Sequence, residues 1–139
     1  MATIINAVSG TGLTQSADGS GVLKVQSNGV TTNALAWVNF NGVTTATVRG
    51  SYNVSSVTRS SAGSYTVNFT NAMADTNYSA NISSSISAGG LTSQGGFPME
   101  LLTGASTLAR TASAFPFLTL NATYGLSDAF SISVSIFGN

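Results

Sequence analysis

The chain contains no cysteine and no histidine. Without cysteine neither a disulfide framework nor a thiolate metal site can form, so stability has to come from packing. Without histidine no side chain has an ordinary pKa between about pH 5 and 8, and no Ser-His-Asp or Cys-His arrangement can be built. Charge is almost as scarce, with four cations and four carboxylates among 139 residues. That is 6% of the chain, against roughly a quarter in ordinary soluble domains. A folded monomer of this size exposes roughly 6,700 Å², which leaves about 800 Å² to each formal charge. Solubility must therefore rest on Ser, Thr and Asn, and part of the surface is expected to be covered by neighbouring subunits. The net charge is zero, with Lys24, Arg49, Arg59 and Arg110 scattered along the chain, so nucleic acid is not an expected partner.

Long apolar runs are missing as well. Ala34-Leu35-Ala36-Trp37-Val38 is about as long as they get, far short of the roughly 20 residues of a membrane helix, so no membrane insertion is expected. Met1-Ala2-Thr3-Ile4-Ile5 has neither a basic stretch nor a long apolar one, and a chain made and kept without a secretory leader is the expectation.

What the sequence does contain is alternation with period two. Phe130-Ser131-Ile132-Ser133-Val134-Ser135-Ile136 sends every apolar residue to one face and every serine to the other, the pattern of a half-buried antiparallel strand. Tyr65-Thr66-Val67-Asn68-Phe69-Thr70 and Tyr78-Ser79-Ala80-Asn81-Ile82-Ser83 repeat it with residues that favour a pleated surface. Trp37-Val38-Asn39-Phe40, then Asn41-Gly42, then Val43 to Val48 predicts a hairpin with a two-residue type I′ turn. Further strands are expected at 51–58 and 117–124, with a turn at Ser60-Ser61-Ala62-Gly63-Ser64. Met99-Glu100-Leu101-Leu102 is the one candidate helical turn, inside a loop excursion from Pro98 to Ala109.

These elements predict an all-β chain: a single antiparallel β-sandwich or jelly-roll-like domain over 34–139, with an extended N-terminal arm over 1–33. In the arm, glycines at 10, 12, 19, 21 and 29 break the apolar positions Ile4, Ile5, Leu13, Val22, Leu23 and Val25 into pieces too short to bury themselves. Those six residues are the candidate assembly contacts, pairing with another chain. Two of the pieces serving as edge strands of the same domain is an equally good reading.

Catalytic constellations are hard to assemble. Asp18, Asp75, Glu100 and Asp128 are the only carboxyls, and nothing in their spacing supports a glycosidase pair. Asp18-Gly19-Ser20-Gly21 has too few oxygen ligands for a calcium loop, and the glycines at 88–96 match no phosphate-binding pattern. No enzyme activity, cofactor or metal is expected. Sequons at Asn53, Asn68, Asn77, Asn81 and Asn121 are what chance produces in a chain so rich in Asn, Ser and Thr. The aromatics Trp37, Tyr52, Tyr65, Tyr78 and Tyr124 all fall on expected strands, where core packing is the ordinary role. Trp37 is kept as the candidate surface aromatic, because an exposed indole is a platform for a sugar ring or a protein anchor.

Ala34-Leu35-Ala36-Trp37-Val38-Asn39-Phe40-Asn41-Gly42, Ser51-Tyr52-Asn53-Val54-Ser55-Ser56-Val57-Thr58 and Tyr65-Thr66-Val67-Asn68-Phe69-Thr70-Asn71-Ala72-Met73-Ala74-Asp75-Thr76-Asn77-Tyr78 together resemble a tail-fibre-type module of tailed-bacteriophage structural proteins. The opening through Ala17-Asp18-Gly19-Ser20-Gly21-Val22-Leu23 looks like the lead-in to that module, and the closing segment from Phe97 to Asn139 is not covered. The resemblance carries no catalytic motif. It implies a virion structural protein, assembled in the host cytoplasm and exposed on the extracellular particle. Either a capsid cement or decoration protein or a short tail-fibre or spike component fits. The implied partners are further copies of the chain, as a homotrimer, and other virion proteins such as the major capsid or tail proteins. The alternative is a carbohydrate-binding receptor-recognition module whose partner is a host-surface glycan.

Overall fold

The computed structural model describes residues 25–28, 30–85, 97–99, 109–121 and 123–138. In chain order the strands are β1 (Gln26–Ser27), β2 (Val30–Thr31), β3 (Ala36–Asn41), β4 (Thr47–Tyr52) and β5 (Val54–Ser61), then β6 (Ser64–Phe69), β7 (Ser79–Ser85), β8 (Phe97–Met99), β9 (Ala114–Leu120) and β10 (Ser131–Phe137). The first two form a small hairpin. The other eight form two antiparallel sheets packed as a sandwich, sheet I in the order β4-β3-β10-β7 and sheet II in the order β5-β6-β9-β8. The all-β sandwich expected from the alternation is the fold. Ile4, Ile5, Leu13, Val22 and Leu23 of the expected arm lie outside the described residues. Val25 lies within them, exposed at the foot of the β1–β2 hairpin.

The core lies between the sheets, where alternation delivers it. Ala36, Val38 and Phe40 of β3 and Ile132, Val134 and Ile136 of β10 face Tyr65, Val67 and Phe69 of β6 and Phe115 and Phe117 of β9. Aromatic rings run through it in contact: Phe69 meets Tyr78 edge-on at 5.8 Å, Tyr78 meets Phe115 at 6.2 Å, and Phe115 stacks on Phe117 at 5.8 Å. Phe117 meets Tyr65 at 5.6 Å, and Tyr65 meets Phe40 edge-on at 5.4 Å. Such offset and edge-to-face pairs each add about 0.5–1.5 kcal/mol beyond area burial. β9 is buried on both faces from Phe115 to Leu120. It tolerates Pro116 because β8 reaches only as far as Leu118, leaving that side of Pro116 without a ladder partner among the described residues.

Several local expectations are corrected. The β3–β4 hairpin forms, but Asn41 is still in the strand and the connection runs from Gly42 to Ala46, with Thr44 rather than Gly42 in the left-handed region at φ 58°. Gly42 is glycine for a tertiary reason: a Cβ there would collide with the Tyr65 hydroxyl and the Ala129 carbonyl. The expected strand over 51–58 breaks at Asn53 (φ 54°), where the chain leaves sheet I for sheet II. Asparagine tolerates that conformation. Its side chain also holds the corner, donating to the carbonyls of Leu35 (3.1 Å) and Asn71 (3.2 Å) and accepting from Asn71 N–H at 2.8 Å. The strand expected at 117–124 is shifted back to β9, so Tyr124 stands in a turn at φ 62° and is 83% exposed. Phe130 drops out of the β10 alternation and is exposed. Met99, the first residue of the expected helical turn, belongs to β8. The turn before β6 is as expected, with Gly63 at φ 67° and Asp75 accepting from Asn77 N–H in a tight turn of its own.

Candidate functional site

Two constellations on the sandwich gather polar chemistry. The first lies at the end where the 42–46 loop, the Ala62–Gly63 turn and the segment leading into β10 converge. Arg59 grips Asp128 with Nε at 2.9 Å and Nη2 at 2.7 Å, the only salt bridge among the described residues. Gly63 N–H donates to Asp128 Oδ1 at 2.8 Å and Thr44 N–H to Oδ2 at 3.4 Å. The Tyr65 hydroxyl donates to Oδ1 at 2.7 Å, with the Gly42 carbonyl 2.9 Å away as a second acceptor. Burial alone would raise the Asp128 pKa. The hydrogen bonds from Arg59, Gly63, Tyr65 and Thr44 outweigh it and hold the carboxyl down at about 2. Burial, reinforced by the adjacent carboxylate, pushes the Tyr65 hydroxyl well above the ordinary phenol range. The pair is thus locked as carboxylate and neutral phenol across the working pH range. That state suits cross-linking three chain segments and gives no proton to exchange. Asp75 is occupied with its own turn, while Asp18 and Glu100 lie outside the described residues.

The second constellation is the outer face of sheet I. Strand register aligns Tyr52, Trp37, Ser135 and Asn81 in one row across β4, β3, β10 and β7, and Gly50, Asn39, Ser133 and Ser83 in the next. A bulge between Asn39 and Phe40 leaves Arg49 as the extra residue on β4. It re-aims the guanidinium across the sheet, donating to Ser131 Oγ at 3.0 Å and to the Phe130 carbonyl at 2.9 Å, over the Phe130 ring at 5.2 Å. Asn39 Nδ2 adds bonds to Ser133 Oγ (2.9 Å) and Ser131 Oγ (3.3 Å). This half of the face is satisfied by its own side chains.

The other half is not. Trp37 is 43% exposed, and the far edge of its indole reaches diagonally over Gly50, 3.5 Å from where a Cβ would stand. Phe137 is also exposed, two residues beyond Ser135 on β10 and on the same face. The side chains of Ser79, Asn81, Ser83 and Ser135 make no hydrogen bond to the described residues. The result is an apolar platform flanked by uncommitted neutral donors and acceptors.

Of the residues singled out in the sequence, Trp37 is the one the structure places at this surface. Tyr65 and Tyr78 are core, Tyr52 is half-buried beside Trp37, and Tyr124 caps a turn elsewhere. The face of Trp37 was left open by the sequence alone; the signal that points outward is parity, which Trp37 shares with Asn39 and Asn41, while Ala36, Val38 and Phe40 share the other. The Arg59–Asp128 pairing and the Arg49 bulge carry no comparable signal, because their partners are separated by 69 and 82 residues. No group of three or more metal-ligating side chains occurs among the described residues. Comparison with protein-family models, curated proteins and solved structures gave no match.

Proposed function

We propose that the protein is a non-enzymatic structural component of a bacteriophage virion, displayed on the particle surface as a homotrimer. Its place is that of a capsid cement or decoration protein, or of a short tail-fibre or spike component. The observation that carries this reading is how few charges the chain has, four cations and four carboxylates. Arg59 is committed to Asp128, Arg49 to a carbonyl and a serine, and Arg110 to the Tyr78 carbonyl at 2.6 Å and the Tyr78 and Phe115 rings. The strand surfaces that remain are mainly serine, threonine and asparagine, interrupted by exposed Trp37, Val48 and Phe137, a mixture that suits close packing against copies of itself and against other virion proteins. The resemblance of residues 34–78 to a tail-fibre-type module supports the same reading. Light scattering at micromolar concentration should give three times the monomer mass, and the chain should be found in purified particles. A stable monomer absent from particles would overturn the proposal. Hundreds of copies per particle would assign it to the head, a few dozen or fewer to the tail.

One observation favours a second reading, a carbohydrate-binding receptor-recognition module used in host adsorption. It is the exposure of Trp37 beside hydroxyls and a carboxamide that have no partner among the described residues. On this reading the host-surface partner is a glycan, and the two readings are compatible in one particle.

A further inference from the structure

We infer that the Trp37 half of the outer face of sheet I is a binding site for a neutral oligosaccharide, one sugar ring stacking on the indole while Ser135 and Asn81 bond hydroxyls farther along the glycan. The inference deepens the second reading above by giving it a site and a ligand class. Three features support it. First, the indole has room to extend across the sheet toward β4, because the position diagonal to Trp37 there is Gly50, with Tyr52 directly opposite. A ring in that attitude offers the apolar surface that the C–H face of a hexose needs. Second, the register puts Ser135 directly opposite Trp37 and Asn81 directly opposite Ser135, so hydroxyl and carboxamide stand one and two strand spacings of about 4.8 Å from β3, on the side away from Gly50. That spacing suits groups on one sugar ring and the next. Third, the row Tyr52, Trp37, Ser135 and Asn81 contains no ionisable acid or base beyond a phenol, and Arg49, the described cation of this face, is turned to Ser131 and Phe130 on the other half. Among the described residues of that row an anionic polysaccharide would find no counter-charge, whereas a neutral one finds donors and acceptors.

The contrast within the face argues against a merely solvated surface. Asn39 and Ser133, one row away, bond each other, and the same residue types at Ser135 and Asn81 do not. A self-satisfied network and an open one thus lie side by side on the same strands, and only the open one adjoins the exposed indole.

The chain has a single tryptophan, so its emission reports this site alone. The full chain is titrated with lactose, cellobiose and N,N′-diacetylchitobiose, following Trp37 fluorescence and, in parallel, the heat of binding. A saturable emission change with at least one of the three is expected, with binding about tenfold weaker in Asn81→Ala and lost in Trp37→Ala while Trp37→Phe retains it. Far-ultraviolet dichroism of each variant checks that the sheet is intact. No saturable change with any of the probes at tens of millimolar overturns the inference. Heat of binding that persists in Trp37→Ala also overturns it, placing the glycan elsewhere on the protein and leaving the broader adsorption reading standing. A Trp37→Ala chain whose oligomeric mass falls instead marks the patch as a subunit contact and overturns it too.

Discussion

The two ends of the sandwich are fastened by different chemistry. At one end a carboxylate, Asp128, takes hydrogen bonds from a guanidinium, a phenol and two backbone N–H groups. At the other a neutral carboxamide, Asn53, ties the β4–β5 corner to Leu35 and Asn71, and Arg110 closes over Tyr78 and Phe115 through a carbonyl and two ring faces. Both ends solve the same problem of holding loops that connect two sheets. Among the described residues, only the first draws stability from the ionisation of a carboxyl. A chain with so few charges has therefore concentrated its one described salt bridge where three separate segments meet.

Removing the charged fastening should have the largest effect. Asp128→Ala leaves Arg59 and the Gly63 N–H without their acceptor, and a loss of about 3 kcal/mol is expected, read as a lower urea midpoint with an unchanged slope. The same comparison sharpens in acid. The folded pKa of Asp128 lies below its ordinary value of 3.8, at about 2. Its contribution is therefore fully present above about pH 4 and disappears as pH falls through 2, a loss of about 2 kcal/mol. Urea midpoints measured from pH 5 to pH 2 should show that decline in the wild type and its absence in Asp128→Ala; parallel declines would show that other carboxyls carry the acid sensitivity. The smallest effect belongs to the neutral end. Asn53→Ala should cost about 1.5 kcal/mol, from the lost bonds and the left-handed backbone together, and by the same amount at every pH in that range. Asn53→Gly, which keeps the backbone comfortable, should cost less.

Much of the scaffold was legible because a sheet buried on one face writes its orientation into every second residue. Ile132, Val134 and Ile136, and Tyr65, Val67 and Phe69, are core positions for that reason, and Trp37 is outward by the same arithmetic. Changes of direction were less legible. Asn53 sits inside an unbroken run of strand-forming residues, and its role as a corner depends on Leu35 and Asn71, which the sequence does not place beside it. Gly42 misled in the opposite sense, since Asn-Gly is the usual hairpin turn but this glycine answers to Tyr65. The candidate glycan site was half visible: the indole could be found from parity, whereas Ser135 and Asn81 join it only once β10 is known to lie between β3 and β7.

That placement also governs the order in which the molecule can be made. β10 is the last strand in chain order, yet it is the middle partner that joins β3 to β7, and the Asn39–Ser131 contact closes a separation of 92 residues. Until it arrives, both neighbours present open hydrogen-bonding edges to the same slot, and Ala36, Val38 and Phe40 are uncovered on the side away from β4. Completion of sheet I therefore depends on a non-local pairing, the kind that slows folding. Through that interval the vacant slot is a template for any strand of matching pattern, including the equivalent strand of a sister chain.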